Sequence, residues 1–158
     1  MAVTVPSEEE LARIYANVRE IFERIPFNHQ LGLEIELIEI GYARLRLPMR
    51  DELVGNYVRD VLHGGVISAT LDVTCGLVAF VGVATSLEGV DMEKKLELFS
   101  RLGTIDMRVD YLRPGTGRAF VASACTVRAG KRIAVIRGEL HDEAEELVAS
   151  AVCTYLIG

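Results

Sequence analysis

The string His63-Gly64-Gly65-Val66-Ile67-Ser68-Ala69-Thr70-Leu71-Asp72 holds the groups of this chain best suited to chemistry. A glycine pair opens a long apolar stretch, and Asp72 is the only Asp, Glu, Lys or Arg between Val61 and Leu87. In a helix, the N–H groups at the start of that stretch lack intrahelical acceptors and stand at the positive end of the helix dipole. Without side chains, Gly64 and Gly65 let a ligand approach the backbone closely, which suits a developing oxyanion. Asp72 is the complementary group. A carboxylate enclosed by apolar side chains is costly unless hydrogen-bonded. It either ties down a neighbouring Ser, Thr or backbone N–H, or it serves as a general base or nucleophile.

Spacing constrains how the two groups cooperate. Asp72 follows Gly64 by eight residues, and a rise of about 1.5 Å per residue sets them roughly 12 Å apart along one helix axis. One helix cannot bring both to a single carbonyl group. Two antiparallel helices from two copies of the chain can. Other chemistries are poorly served. Ser68 lies in no G-x-S-x-G elbow, and His29 and His141 form no metal-ligand spacing with His63, so no metal site is expected. Cys75, Cys125 and Cys153 include no CxxC pair. Each reads as a small buried apolar residue, consistent with a reducing cytosol.

The elements that must position these residues follow from hydrophobic pattern. Gly64 to about Thr85 is apolar on all sides, and such a helix has to be enclosed by other structure. Gly76 and Gly82 within it suggest a closely packed neighbour. Asp72 and the short uncharged run beside it argue against a membrane span. Ser7 to Ile25 reads as an amphipathic helix, opened by a Ser7/Glu10 capping box and ended by Pro26. Leu33 to Ile40 and Tyr42 to Leu47 alternate as two strands joined at Gly41, and Pro48 to Leu62 reads as a connection. A short helix is expected within Glu88 to Leu102, with Asp91 as its cap and Met92, Leu96 and Phe99 on one face. Four strands follow: Thr104 to Leu112, Arg118 to Arg128, Arg132 to Leu140, and Leu147 to Ile157. Pro114-Gly115, Ala129-Gly130 and His141-Asp142-Glu143 punctuate them. Tight turns of this kind predict an antiparallel meander. The class is therefore α+β, a hotdog fold: a curved antiparallel sheet wrapped around a long central helix, with an extra N-terminal helix, in one domain over 1–158.

Composition agrees with an ordinary globular domain: 50% hydrophobic and 25% charged residues, with a net charge of -6. That charge argues against a nucleic-acid partner, and an anionic ligand would need a local basic patch. The N-terminal MAVTVPSEEE lacks the basic and apolar regions of a signal peptide.

The HGGVISATLD string resembles the HGG-x6-D signature of the PaaI-like hotdog thioesterases. Gly103 to Gly115, GTIDMRVDYLRPG, resembles the next strand of that family. Val54-Gly55-Asn56, LHGGVIS, LDV and GLV are similar to its YigI branch, which hydrolyses medium- and long-chain acyl-CoA. The resemblance runs from Pro26-Phe27-Asn28 to the C-terminus. It implies that Asp72 is the catalytic carboxylate and that the Gly64 N–H polarises the thioester carbonyl. It also implies that Thr104 helps position the attacking water and that His63 is structural or orients the carbonyl. Asn56 matches an asparagine that many relatives place six residues before the histidine; here the spacing is seven, and Tyr57 stands at the expected place. CoA would be part of the substrate, with no separate cofactor. Gly65 and the turn residues Arg113, Arg128, Lys131 and Arg132 are the candidates for its nucleotide end. A cytoplasmic homodimer or tetramer without a membrane span is implied. Strand parity places Thr104 with Asp106, Arg108 and Asp110, pointing away from the helix unless the strand start is bulged. A non-catalytic acyl-CoA-binding hotdog module is the main rival. A hotdog hydratase or dehydratase would need a paired histidine and acid, and His63 is the only histidine near.

Overall fold

A computed structural model describes residues 6–86, 97 and 100–157 of the chain. Helix α1 spans Glu8–Arg24. Its capping box forms as expected: the Glu10 N–H donates to Ser7 Oγ at 3.3 Å, and the Ser7 N–H donates to the Glu10 carboxylate at 2.9 Å. Ile14, Val18 and Phe22 form its buried face. Pro26 does more than end this helix. It opens a second one, α2 (Pro26–Leu31), because proline fits the first helical position, where its missing N–H is not needed. Gly32 ends α2 at φ +71°, a left-handed cap that glycine adopts without strain.

Strands β1 (Glu34–Glu39) and β2 (Tyr42–Pro48) form a hairpin across Gly41. The stretch read as a plain connection contains a 3₁₀ turn at Asp51–Leu53 and a two-stranded ribbon of β3 (Val54–Asn56) and β4 (Val61–Leu62). Helix α3 (Gly64–Ser86) follows, then β5 (Gly103–Tyr111), β6 (Ala119–Ala129), β7 (Ile133–Asp142) and β8 (Leu147–Leu156). The short helix expected within 88–102 falls largely outside the described residues, as do Asp91, Met92, Leu96 and Phe99.

The six long strands make one antiparallel sheet in the order β1-β2-β6-β7-β8-β5. This corrects the meander. β1-β2 and β6-β7-β8 are runs of successive neighbours, while β5 lies at the far edge beside β8 and β2 sits beside β6. Tight turns specify β6 through β8, but β5 is separated in sequence from β2 by the β3–β4 ribbon and α3 and pairs with β8, so no turn sets its neighbour. Register shifts at Ile35/Leu37, Thr104/Asp106, Thr126/Arg128 and Leu140/His141 are the irregularities that bend strands and increase twist, so the sheet can wrap a helix.

Small residues face α3 from the sheet: Ala122 and Ala124 on β6, Ala134 and Gly138 on β7, and Ala149 and Ala151 on β8. Gly138 is required, since a Cβ there would stand 2.8 Å from Cys75 Sγ and 3.2 Å from Leu71 Cδ2. Leu71, Cys75, Val78 and Val81 are fully enclosed. Among the described residues, α3 is long and apolar enough to cross a membrane, yet much of it is buried inside the fold, as a core helix would be. Cys75 and Cys153 are buried, as expected, but Cys125 is exposed; it lies on the outward side of β6, paired with Arg137.

Candidate active site

His63 builds the start of α3. Its main-chain carbonyl accepts from Val66 N at 2.9 Å and Ile67 N at 3.1 Å. Its Nδ1 accepts from the Gly65 N–H at 2.8 Å, which leaves the ring proton on Nε2. His63 is thus a helix cap. Gly65 is correspondingly not a free ligand donor: its N–H is taken, and a Cβ there would lie 3.0 Å from His63 Nδ1. Among the described residues, the Gly64 N–H meets no acceptor, so the helix start offers this donor to a ligand.

Gly55 holds the histidine from below. A Cβ at Gly55 would approach His63 Cα to 2.7 Å and its Cβ and Cδ2 to 2.9 Å. Gly55→Ala must therefore push β3 or His63 aside, at a cost of about 1–3 kcal/mol. A lower Tm in a thermal melt, with turnover reduced through the displaced cap, is the expected result; an unchanged Tm would show that the ribbon yields freely.

Asp72 lies two turns further along α3 and is half-buried. Its carboxylate is hydrogen-bonded, as apolar surroundings require. Thr104 Oγ1 donates to Asp72 Oδ1 at 3.0 Å, and the Tyr155 phenol lies 2.9 Å from the same oxygen. The parity objection to Thr104 is resolved by a bulge. Thr104 pairs with Tyr155 but Asp106 pairs with Thr154, so Ile105 is the extra residue and is 55% exposed. The bulge turns Thr104 to the helix side while Met107 and Val109 still pack inward. Sequence reasoning missed Tyr155, although β8 parity places it with Ala149, Ala151 and Cys153, on the strand's inward face.

The two halves of the expected machinery are separated along β5. Thr104 at its start bonds Asp72, whereas Tyr111 at its end donates through Oη to the Gly64 carbonyl at 3.1 Å. Asn56 is not brought to Asp72. Its Oδ1 accepts from the N–H groups of Val58 and Arg59, at 3.1 and 3.3 Å, and so shapes the exposed β3–β4 turn. The basic residues do not form one patch. Arg113 follows β5 at the Gly64 end and is ion-paired with Glu146. Arg128, Lys131 and Arg132 surround the β6–β7 turn at the other end of the sheet, near Gly103 and Leu156. All four are exposed.

A cavity of about 220 Å³ opens at Asp72. Val18, Ile21 and Phe22 of α1, Phe27 of α2 and Val73, Leu77 and Phe80 of α3 supply apolar walls, with Leu102 beside Thr104. Leu77 and Phe80 stand where an apolar tunnel was expected; Val66, near the helix start, is not part of the lining. The contribution of α1 was not anticipated. Its amphipathic pattern specified a buried face but not what that face encloses. Asn28 also reaches the cavity, with its Nδ2 donating to the Phe22 carbonyl at 3.1 Å.

Comparison with known proteins bears on this arrangement. Residues 60–149 match the family model of the thioesterase superfamily. Over 134 residues the chain is 46% identical to the medium/long-chain acyl-CoA thioesterase YigI of Salmonella typhimurium, covering 85% of this chain and 86% of that protein. A crystal structure from Shewanella oneidensis, described as related to the thioesterase superfamily, superposes with a TM-score of 0.89 at 40% identity, covering 96% of this chain and 100% of that one. The Escherichia coli PaaI protein of the phenylacetic acid degradation operon shares the fold, with a TM-score of 0.75 at 17% identity over 93% of this chain and 94% of its own. With a family match across more than half of its length and a hotdog sheet around its central helix, the chain belongs to the thioesterase superfamily.

Proposed function

We propose that this chain is an acyl-CoA thioesterase acting on medium and long acyl chains, with Asp72 as its catalytic carboxylate. One observation carries the reading: a single carboxylate stands at the wall of an apolar cavity, with Oδ1 held by two hydroxyl groups. Oδ2 has no hydrogen-bond partner among the described residues and is the oxygen available to react. As a general base it takes a proton from water, and the resulting hydroxide adds to the thioester carbonyl carbon. As a nucleophile it adds to that carbon itself, and water then hydrolyses the mixed anhydride. On either route the C–S bond breaks, the CoA thiolate leaves and is protonated, and the free acid remains. The charge on the carbonyl oxygen needs a donor, and the Gly64 N–H of a second copy is the one proposed. The enzyme is thus a homodimer, or a tetramer built from such dimers. In that pairing the partner's Gly64 end approaches Asp72, so Arg128, Lys131 and Arg132 of one copy and Arg113 of the other are the candidates for the CoA phosphates. Three free cysteines support a reducing, cytoplasmic setting.

The chain-length reading rests on the cavity walls. A dry apolar cavity of about 150 Å³ already accepts a benzene ring, and this one, at about 220 Å³, is larger. Thiol release measured across CoA esters from acetyl to palmitoyl is expected to give the highest kcat/KM to medium or long chains; equal or better kcat/KM for acetyl-CoA would refute the proposal. Ile21→Trp should fill the cavity from α1. Each methylene left unburied costs about 0.8 kcal/mol, so excluding two or three lowers kcat/KM for long chains by on the order of 10- to 100-fold. Acetyl-CoA turnover should hold. A uniform loss across the panel would mean that α1 does not bound the acyl site.

A further inference from the structure

Tyr155 carries one of the two hydroxyl groups at Asp72 Oδ1, and its contacts are specific. It is 2% exposed, and its phenol lies 2.8 Å from the Asp72 main-chain carbonyl and 2.9 Å from Asp72 Oδ1. One hydroxyl hydrogen is therefore shared between the backbone and the side chain of the same residue. The ring packs against α3 where Gly76 leaves room, a Cβ there being 3.5 Å from Tyr155 Cε1. Burial, followed by the neighbouring Cys75, Cys153 and Asp72, pushes the phenol far above its ordinary pKa, so it stays protonated and donates. Thr104, its cross-strand pair, donates to the same carboxylate oxygen.

We propose that Tyr155 is a positioning residue for hydrolysis: with Thr104 it pins Asp72 Oδ1 and so presents Oδ2 to the cavity. This rests on Asp72 being the catalytic carboxylate. The terminal torsion of an aspartate is broad and nearly two-fold. A carboxylate bonded at one oxygen only from a strand start could swing. The phenol's second contact, to the helix carbonyl, fixes the donor itself to the backbone that carries Asp72, so the side chain and its clamp move together.

Tyr155→Phe keeps the ring and removes only the donor. Loss of a hydrogen bond to a charged group is expected to lower kcat by roughly 10- to 100-fold, with KM changed less than about threefold because the apolar walls of the cavity and the Tyr155 ring are kept. The deciding comparison is the same substitution in the Asp72→Asn background, read by single-turnover kinetics. There the carboxylate is already gone, and Tyr155→Phe should add little further loss. Folding defects act alike in both backgrounds and cancel in the ratio. A kcat within twofold of the parent, or an equal loss in both backgrounds, would overturn the assignment. Should the phenylalanine chain fold poorly, 3-fluorotyrosine at position 155 keeps ring and hydroxyl while strengthening the donor. Because a stronger donor at Oδ1 withdraws charge from the carboxylate that reacts at Oδ2, the substitution is expected to lower kcat with KM held, and an unchanged kcat would again overturn the proposal. Near-normal turnover in Asp72→Asn alone would instead defeat the reading of Asp72, so the two failures are distinct.

Discussion

Asp72→Asn is expected to lower kcat by on the order of 10²–10⁴-fold, the range of a lost general base. The amide keeps the shape of the side chain, and its carbonyl oxygen can still accept from Thr104 and Tyr155. Acyl-CoA affinity should survive, since the cavity and the nucleotide end supply it. The Tm should move little. An unpaired buried carboxylate would gain stability on neutralisation, but two hydroxyl donors at Oδ1 already offset much of that desolvation. A structural aspartate gives the opposite pattern: a lower Tm, with activity per folded molecule preserved. Thermal melts and single-turnover kinetics on one preparation separate the two.

Gly64→Pro is expected to lower kcat by about 10²–10³-fold, the usual loss when one oxyanion donor is removed. Gly64 is the first residue of α3, and proline is favoured at that position. The substitution thus deletes the N–H while leaving the helix start in place. His63 still caps Gly65, Val66 and Ile67. The nearest atom to the new Cβ is Tyr111 Cε1 at 3.4 Å, an ordinary contact, on a side chain 54% exposed whose phenol bonds the Gly64 carbonyl that proline keeps. Unchanged kcat in a chain that melts normally would remove the Gly64 N–H from the mechanism.

Much of this site was legible because it is local. The capping box at Ser7, the all-round apolar helix and its lone aspartate are each written in a short window, where helical period and cap chemistry decide the outcome. Strand order was not fully legible, since β5 joins β8 by a long-range pairing that no turn specifies. Thr104 shows the same boundary. Parity pointed it outward, and only the bulge at Ile105, a property of pairing with β8, turns it to Asp72. Arg113 and Arg128 looked like one basic cluster because both sit at strand ends beside turns; antiparallel pairing sends them to opposite ends of the sheet. Tyr155 was missed for a further reason. A tyrosine in a C-terminal strand reads as core, and its meaning appears only when β8 lies over Gly76.

The central claim, that one active site draws Asp72 from one copy and Gly64 from another, is tested most directly by complementation. Asp72→Asn and Gly64→Pro chains carry different tags, are co-expressed, and are purified for both tags. Each variant alone is expected to be nearly inactive. A mixed dimer holds one site in which both groups are intact and one in which both are altered, so it should show about half the parent activity per dimer. A mixed dimer as inactive as its two parents would contradict the shared site.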